Sequence, residues 1–271
     1  MLSSLQNPKI KEIVRLRKAN KRKKEDLIII EGEKEISLAI EAGVKIRELF
    51  YALEMTKCTP VLRWPSDGID RSPLKMGAGV CLTTEVSSAV FVKIAFRENA
   101  DGYLALAEPR NLSLDKIKLS KNPLVVILES VEKPGNLGAI LRTCDAAGVD
   151  ALIIADPRTD IYNPNVIRAS LGTVFTMQVV AANFEDTQAW LKKNNIKTFA
   201  ATPSTDKYFT NMNFIEATAI VIGTEHEGLS DKWLKAADHK VKIPMLGKID
   251  SLNASVSAAV IIYEAVRQRM K

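Results

Sequence analysis

Apolar and polar positions alternate along this chain in two regimes. From Asn7 to about Lys24, Ile10, Ile13, Val14 and Leu16 recur at helical spacing and predict one helix. Short apolar runs then predict strands at 27–30, 46–51, 80–83 and 103–107, with helices at 33–42, closed by Gly43, and at 86–95. Beyond Pro109 the alternation becomes more regular. Strands are expected at 124–128, 151–155, 174–180, 198–201, 219–222 and 241–243, and helices at 137–147, 165–171, 185–194, 231–235 and 252–269. That order predicts a largely parallel sheet with helices on both faces. The stretch 109–122 is polar, lysine-rich and bracketed by prolines, which predicts a linker. The expected organisation is a smaller α/β domain over 1–108, a linker over 109–122 and an α/β domain over 123–271.

The length, 271 residues, suits two such domains and allows each a core of its own. With 46% apolar and 26% charged residues the composition is that of a globular protein. No apolar run is long enough to span a bilayer, and no apolar signal core follows Met1. A cytoplasmic protein without membrane attachment is therefore expected. Cys58, Cys81 and Cys144 show no metal-ligand spacing, and His226 and His239 are the only histidines. No metal site is expected from them.

Charge adds a partner to the picture. The formal net charge is +6, but its distribution says more. Lys9, Lys11, Arg15, Arg17, Lys18, Lys21, Arg22, Lys23 and Lys24 crowd the first segment, with Glu12 the one acid among them. Such an arm can neutralise phosphates and release counterions, which points to nucleic acid, with Lys21 and Arg22 as candidate contacts.

Three strand-to-loop junctions in the second half carry the chemistry. The first is Lys133-Pro134-Gly135-Asn136-Leu137-Gly138-Ala139-Ile140-Leu141-Arg142, opening a helix after an apolar run. Gly138 and Arg142 stand four apart, hence on one helix face. An arginine in that setting suits a phosphate or another oxygen-rich ligand. The second is Gly223-Thr224-Glu225-His226-Glu227-Gly228-Leu229, after an apolar strand. The third runs from Ile243-Pro244-Met245 through Gly247 to Ser251-Leu252-Asn253-Ala254-Ser255, where a long small-residue helix begins and Ser251 and Asn253 are N-cap candidates. Junctions of this kind make a ligand crevice at the carboxyl ends of a sheet. Neither a GxGxxG dinucleotide fingerprint nor a GxxxxGK[ST] phosphate loop is present, which argues against a nicotinamide oxidoreductase and a phosphate-loop enzyme.

These three segments, Asn136-x-Gly138-x-x-x-Arg142, Gly223-x-Glu225-x-x-Gly228-Leu229 and Ile243-Pro244-Met245-x-Gly247-x-x-x-Ser251-Leu252-Asn253, resemble in type and order the SpoU/TrmH branch of the SPOUT superfamily. Arg168-Ala169-Ser170 also resembles a recurrent segment of it, whereas His226 stands where many relatives have glycine. The resemblance covers about 120–271. The N-terminal part more weakly resembles a ribosomal-protein-like substrate-binding domain, with Glu31-Gly32-Glu33-Lys34 as its opening pattern.

What the resemblance implies is an α/β fold: a knotted (trefoil) parallel-sheet catalytic domain preceded by a smaller α/β RNA-binding domain. The implied activity is methyl transfer from S-adenosylmethionine to a ribose 2′-hydroxyl of RNA, rRNA ahead of tRNA, by a homodimer. The family mechanism assigns Arg142 to the 2′-hydroxyl, either as proton acceptor or as a charged stabiliser of the alkoxide, and Asn136 to the substrate or the loop. It assigns the cofactor to Gly223, Ile243 and Leu252, with Met245, Ser251 and Glu225 beside them, and gives Asn253 and Ser255 to the substrate. Each has a plainer reading too: Asn136 and Asn253 as helix caps, Glu225 as a solvated loop acid. Two other functions stay open at this stage, a tRNA ribose methyltransferase and a non-catalytic RNA-binding module on the same scaffold.

Overall fold

The computed structural model describes residues 1–56 and 82–270. Cys58, Cys81 and the first half of the strand expected at 80–83 lie outside the described residues. The chain divides into two compact units, 1–110 with 161–176, and 111–160 with 177–271.

The first unit opens with α1 (Pro8–Arg15) and α2 (Ala19–Glu25), followed by β1 (Ile28–Glu31), α3 (Glu33–Glu41), β2 (Ile46–Tyr51), β3 (Leu82–Glu85), α4 (Ser88–Ile94) and β4 (Tyr103–Ala107). Its sheet runs β1-β4-β2-β3, antiparallel except for the parallel β2–β3 pair. Ile10, Ile13, Phe50, Phe91 and Leu104 are among the fully buried residues of its core.

The single helix expected from Asn7 to Lys24 is two helices, and the reason is Arg22. It is 4% exposed, and its Nη1 donates to the carbonyls of Leu16 and Arg17 at 2.8 Å each. These carbonyls end α1 without helical partners, so a buried guanidinium from α2 satisfies them. Arg22 is therefore a structural residue, and its assignment to RNA is corrected. Lys21 is only partly exposed, whereas Lys11, Arg15, Lys18, Lys23 and Lys24 are exposed. Asn7 caps α1 through Lys9 N, with Pro8 in the first turn.

The second half adds β5 (Leu124–Glu129), α5 (Pro134–Ala146), β6 (Ala151–Ala155), α6 (Pro164–Ala169), α7 (Thr173–Thr176), β7 (Val179–Ala182), α8 (Phe184–Lys193), β8 (Lys197–Ala201), β9 (Thr218–Ile222), α9 (Asp231–Ala236), β10 (His239–Val241) and α10 (Ala254–Arg269). Of the strand expected at 174–180, residues 174–176 belong to the short helix α7 and only 179–180 to β7. Residues 161–176, α6 and α7 included, group with the first unit. There Gly172, in left-handed conformation at φ +86°, comes so close to α3 that an added Cβ would stand 3.2 Å from the Glu35 backbone. Within the expected linker, Leu114, Ile117 and Leu119 pack on the core of the second unit.

The second sheet is parallel throughout, in the order β10-β8-β9-β5-β6-β7. The residues of β5, β6 and β9 are all buried, as continuous apolar runs in a doubly covered sheet should be. The order in which strands are added reverses about the central pair, so the parallel β5 and β9 release their loops side by side at the carboxyl edge. Helix α10 packs on α5 and β9. Near its end Arg269 donates to the carbonyls of Asn122, Pro123, Phe214 and Glu216, fastening α10 to the entries of β5 and β9. Among the described residues no helix is long and apolar enough to cross a membrane.

Candidate active site

Helix α5 begins earlier than expected, with Lys133 at the N-cap and Pro134 in the first turn, so Asn136 is not a cap. Its side-chain Nδ2 instead donates to Glu225 Oε1 at 2.6 Å. Glu225 also receives Lys133 Nζ and the amide of Asn253. The Asn253 amide reaches Asn136 Oδ1 at 3.2 Å as well. The three sequence motifs thus meet in one hydrogen-bonded cluster centred on a carboxylate. The Lys133 ammonium, with the amides of Asn136 and Asn253, holds the Glu225 carboxyl below the usual carboxylate range.

Asn253 is the helix cap of its plainer reading. Its Oδ1 caps α10 through Ser255 N at 2.9 Å and accepts the Ser255 hydroxyl at 2.6 Å, while its amide joins the cluster. The second loop is a tight turn in which Thr224 and Gly228 exchange backbone hydrogen bonds, with Glu225, His226 and Glu227 at its tip. Gly223 is required for this turn: an added Cβ would overlap the backbone of Gly228 and Leu229.

Beside the cluster lies a cavity of about 340 Å³. Gly223, Glu225, Ile243, Met245, Ser251 and Leu252, the six residues expected around a cofactor, all line it, together with Ile222, Leu229 and Val241. Its apolar wall suits an adenine face, and backbone groups of the 223–229 and 243–252 loops are available to a base edge. Glu225, Glu227 and Asp250 supply the negative charge that a sulfonium and an ammonium require. The residues present therefore fit S-adenosylmethionine.

A second cavity of about 300 Å³ shares Gly223, Thr224, Glu225, His226, Glu227 and Ala254 with the first and adds Glu132, Lys133, Asn136 and Arg158. Arg142, further along α5, is exposed and lines neither cavity, while Gly138 on the same helix is buried. Arg142 makes no hydrogen bond or ion pair with the described residues. Lys133, Glu132 and Arg158 escape a reading of the sequence. Lys133 stands three residues before Asn136 and is a modest signal, whereas nothing local marks Arg158.

A model of the SpoU rRNA methylase family matches residues 123–263, and a model of the MRM3-like substrate binding domain matches residues 7–105. The chain belongs to the SpoU rRNA methylase family. This SpoU chain is 31% identical over 265 residues to the 23S rRNA (uridine(2479)-2'-O)-methyltransferase of Streptomyces viridochromogenes, covering 93% of itself and 86% of that relative. A solved RNA 2'-O ribose methyltransferase is 37% identical to it, with a TM-score of 0.81 and 100% and 99% of the two chains covered. The SpoU methyltransferase AviRb from Streptomyces viridochromogenes, solved in complex with the cofactor AdoMet, is 27% identical with a TM-score of 0.86, covering 98% of this chain and 99% of its own.

Proposed function

We propose that this SpoU-family protein transfers a methyl group from S-adenosylmethionine to a ribose 2′-hydroxyl of RNA, and that the RNA is ribosomal. The observation that carries this reading is the cluster of Asn136, Glu225 and Asn253, which joins three motifs 89, 28 and 117 residues apart on the rim of the apolar cavity. Relatives that match over 93% and 97% of this chain and are named as rRNA 2'-O-methyltransferases support rRNA over tRNA.

When bound, S-adenosylmethionine supplies an electrophilic methyl group on a positively charged sulfur. The chain's own residues hold the acceptor. Asn136, kept in place by Glu225, orients the ribose, and that positioning lowers the barrier. Arg142, whose guanidinium offers donors only, holds the phosphate and the developing alkoxide. The proton leaves to solvent.

Arg142 stands outside both cavities of one chain, so its part is played in a homodimer. The exposed apolar residues Leu246 (97%), Ile249 (64%), Val256 (46%) and Tyr263 (49%) supply the surface that a second copy would cover. The trefoil knot belongs to the same proposal, as does a cytoplasmic location, with Cys144 a free buried thiol.

The test is methyl transfer from labelled S-adenosylmethionine to separated rRNA and tRNA pools lacking the modification, with wild type and Arg142→Ala side by side. Alkaline hydrolysis then maps the product, since a methylated ribose leaves an alkali-resistant linkage. Arg142-dependent label at one protected linkage in rRNA is expected. Label confined to tRNA overturns the substrate. Absence of both transfer and cofactor binding overturns the enzyme.

A further inference from the structure

The second cavity holds a charged pair that the methyl-transfer chemistry leaves unused. Arg158 Nη1 meets Glu132 Oε1 at 2.5 Å. The two residues arise in the same way from adjacent strands. Ser130 follows β5 with φ +51° and Asp156 follows β6 with φ +49°, both left-handed without being glycine. Ser130 N donates to the Ala155 carbonyl at 2.8 Å, which ties the two turns together. Two residues beyond each turn, Glu132 and Arg158 line the cavity, as does Glu227. Conformations of this cost are kept where the exit direction of a side chain matters.

The pair makes one contact and leaves the rest of its capacity open. Among the described residues neither side chain makes another hydrogen bond, so Glu132 Oε2 and Arg158 Nη2 and Nε remain available. At 58% and 51% side-chain exposure the ion pair is weak and costs little to rearrange around a ligand. The surroundings are acidic. Glu132 first, and Glu227 and Glu129 at longer range, push the Arg158 guanidinium above its ordinary pKa. Such a site favours a ligand with more N–H donors than acceptors.

Resting on the methyl-transfer reading above, we propose that Glu132 and Arg158 read the base of the target nucleotide and select guanine. Glu132 and Arg158 present a carboxylate and a guanidinium side by side on the cavity that Lys133 and Asn136 also line. Guanine alone among the four bases offers two neighbouring N–H donors, N1 and N2, to a carboxylate. Its O6 and N7 then accept a guanidinium, the commonest specific pairing of arginine with a base. Uracil offers one donor there. Adenine and cytosine turn an unprotonated ring nitrogen toward the carboxylate and are repelled.

The test uses the full chain with S-adenosylhomocysteine and the probes GMP, IMP, UMP, AMP and CMP, with binding read by ligand-observed saturation-transfer NMR. IMP is guanosine's analogue without the N2 amino group. GMP should bind about tenfold more tightly than AMP, CMP or UMP, the worth of one good bidentate pair. IMP should be weaker than GMP in wild type but equal to it in Glu132→Gln. Arg158→Gln should weaken GMP while leaving AMP where it was, which narrows the discrimination between them, the remainder being held by Glu132. Thermal melting of both variants checks that they remain folded. Equal binding of the five nucleotides, binding of none, or a preference unchanged in both variants overturns the proposal. So does mapping the methylated ribose to a nucleotide other than guanosine. S-adenosylhomocysteine is titrated in the same samples. If it binds while the nucleotides are not distinguished, only the base assignment falls, whereas its failure to bind removes the methyl-transfer reading itself.

Discussion

The amide of Asn253, at the start of α10, donates to Asn136 Oδ1 in the first turn of α5, across 117 residues of sequence. The same side chain caps α10. Removing it should therefore produce two separable effects. Asn253→Ala is expected to lose about 1 kcal/mol of stability with the cap and most of the activity with the amide. Asn253→Ser restores a capping oxygen but no amide donor. Its melting temperature should recover while methyl transfer stays low. Equal recovery of both in Asn253→Ser would mean that the amide link is idle.

Two glycines flanking the same cluster should respond oppositely. Gly223→Ala forces a Cβ onto the Gly228 backbone. It should weaken S-adenosylhomocysteine binding about tenfold or more by calorimetry, because the 224–228 turn must shift by a distance that matters at this range. Gly135→Ala meets no atom within 4 Å. In the first turn of a helix it should be neutral or stabilise by up to about 1 kcal/mol, without changing cofactor affinity.

In the basic arm, Arg22 and Lys24 should separate stability from RNA binding. Arg22→Ala strands the Leu16 and Arg17 carbonyls and should cost about 1.5–3 kcal/mol in denaturant unfolding. Lys24→Ala, at an exposed site, should leave unfolding unchanged. It should instead lower RNA affinity and flatten its dependence on salt by about 0.7 in slope for a single-stranded target. A larger effect of Arg22→Ala on salt slope than on unfolding would reverse this division.

Arg267 beside Glu264, with Gln268 assisting, holds the Glu264 carboxyl down to about 2. Because the folded value lies below the unfolded one, near 4.3, the pair's stabilisation is fully present above about pH 4.3. It is lost as pH falls toward 2. Glu264→Gln should accordingly lie below wild type in stability at pH 7, and the gap should close between about pH 4 and pH 2. A gap constant with pH would place the effect in packing rather than in charge.

Much of the architecture is legible in the sequence because β5, β6 and β9 are unbroken apolar runs whose chemistry admits one environment. The residues that gather at the carboxyl edge are legible by type for the same reason: glycine, asparagine and glutamate at strand ends have few uses. Partnership is what the sequence conceals. No local signal tells that Arg22 turns inward to serve carbonyls five and six residues behind it, since a lysine-rich neighbourhood reads as surface. Residues 174–176 carry strand-forming side chains, yet they form a helix in the company of α3 and α6, where tertiary packing overrides intrinsic preference. Arg158 becomes visible only when β6 is laid beside β5.

Arg269 also bears on the order in which the molecule can be made. The carbonyl of Asn122 receives its guanidinium donor from 147 residues further along the chain. Until that stretch has been synthesised, this carbonyl at the entry to the central strand of the second sheet lacks its guanidinium donor. β5 can pair early with β6, but α10 arrives after every strand it covers. The second unit is therefore a late-maturing one, whose first strand waits on its last helix, and contacts of such long sequence separation make for slow final folding. A pulse-labelling experiment on stalled nascent chains would find protection at β1–β4 well before it appears at β5.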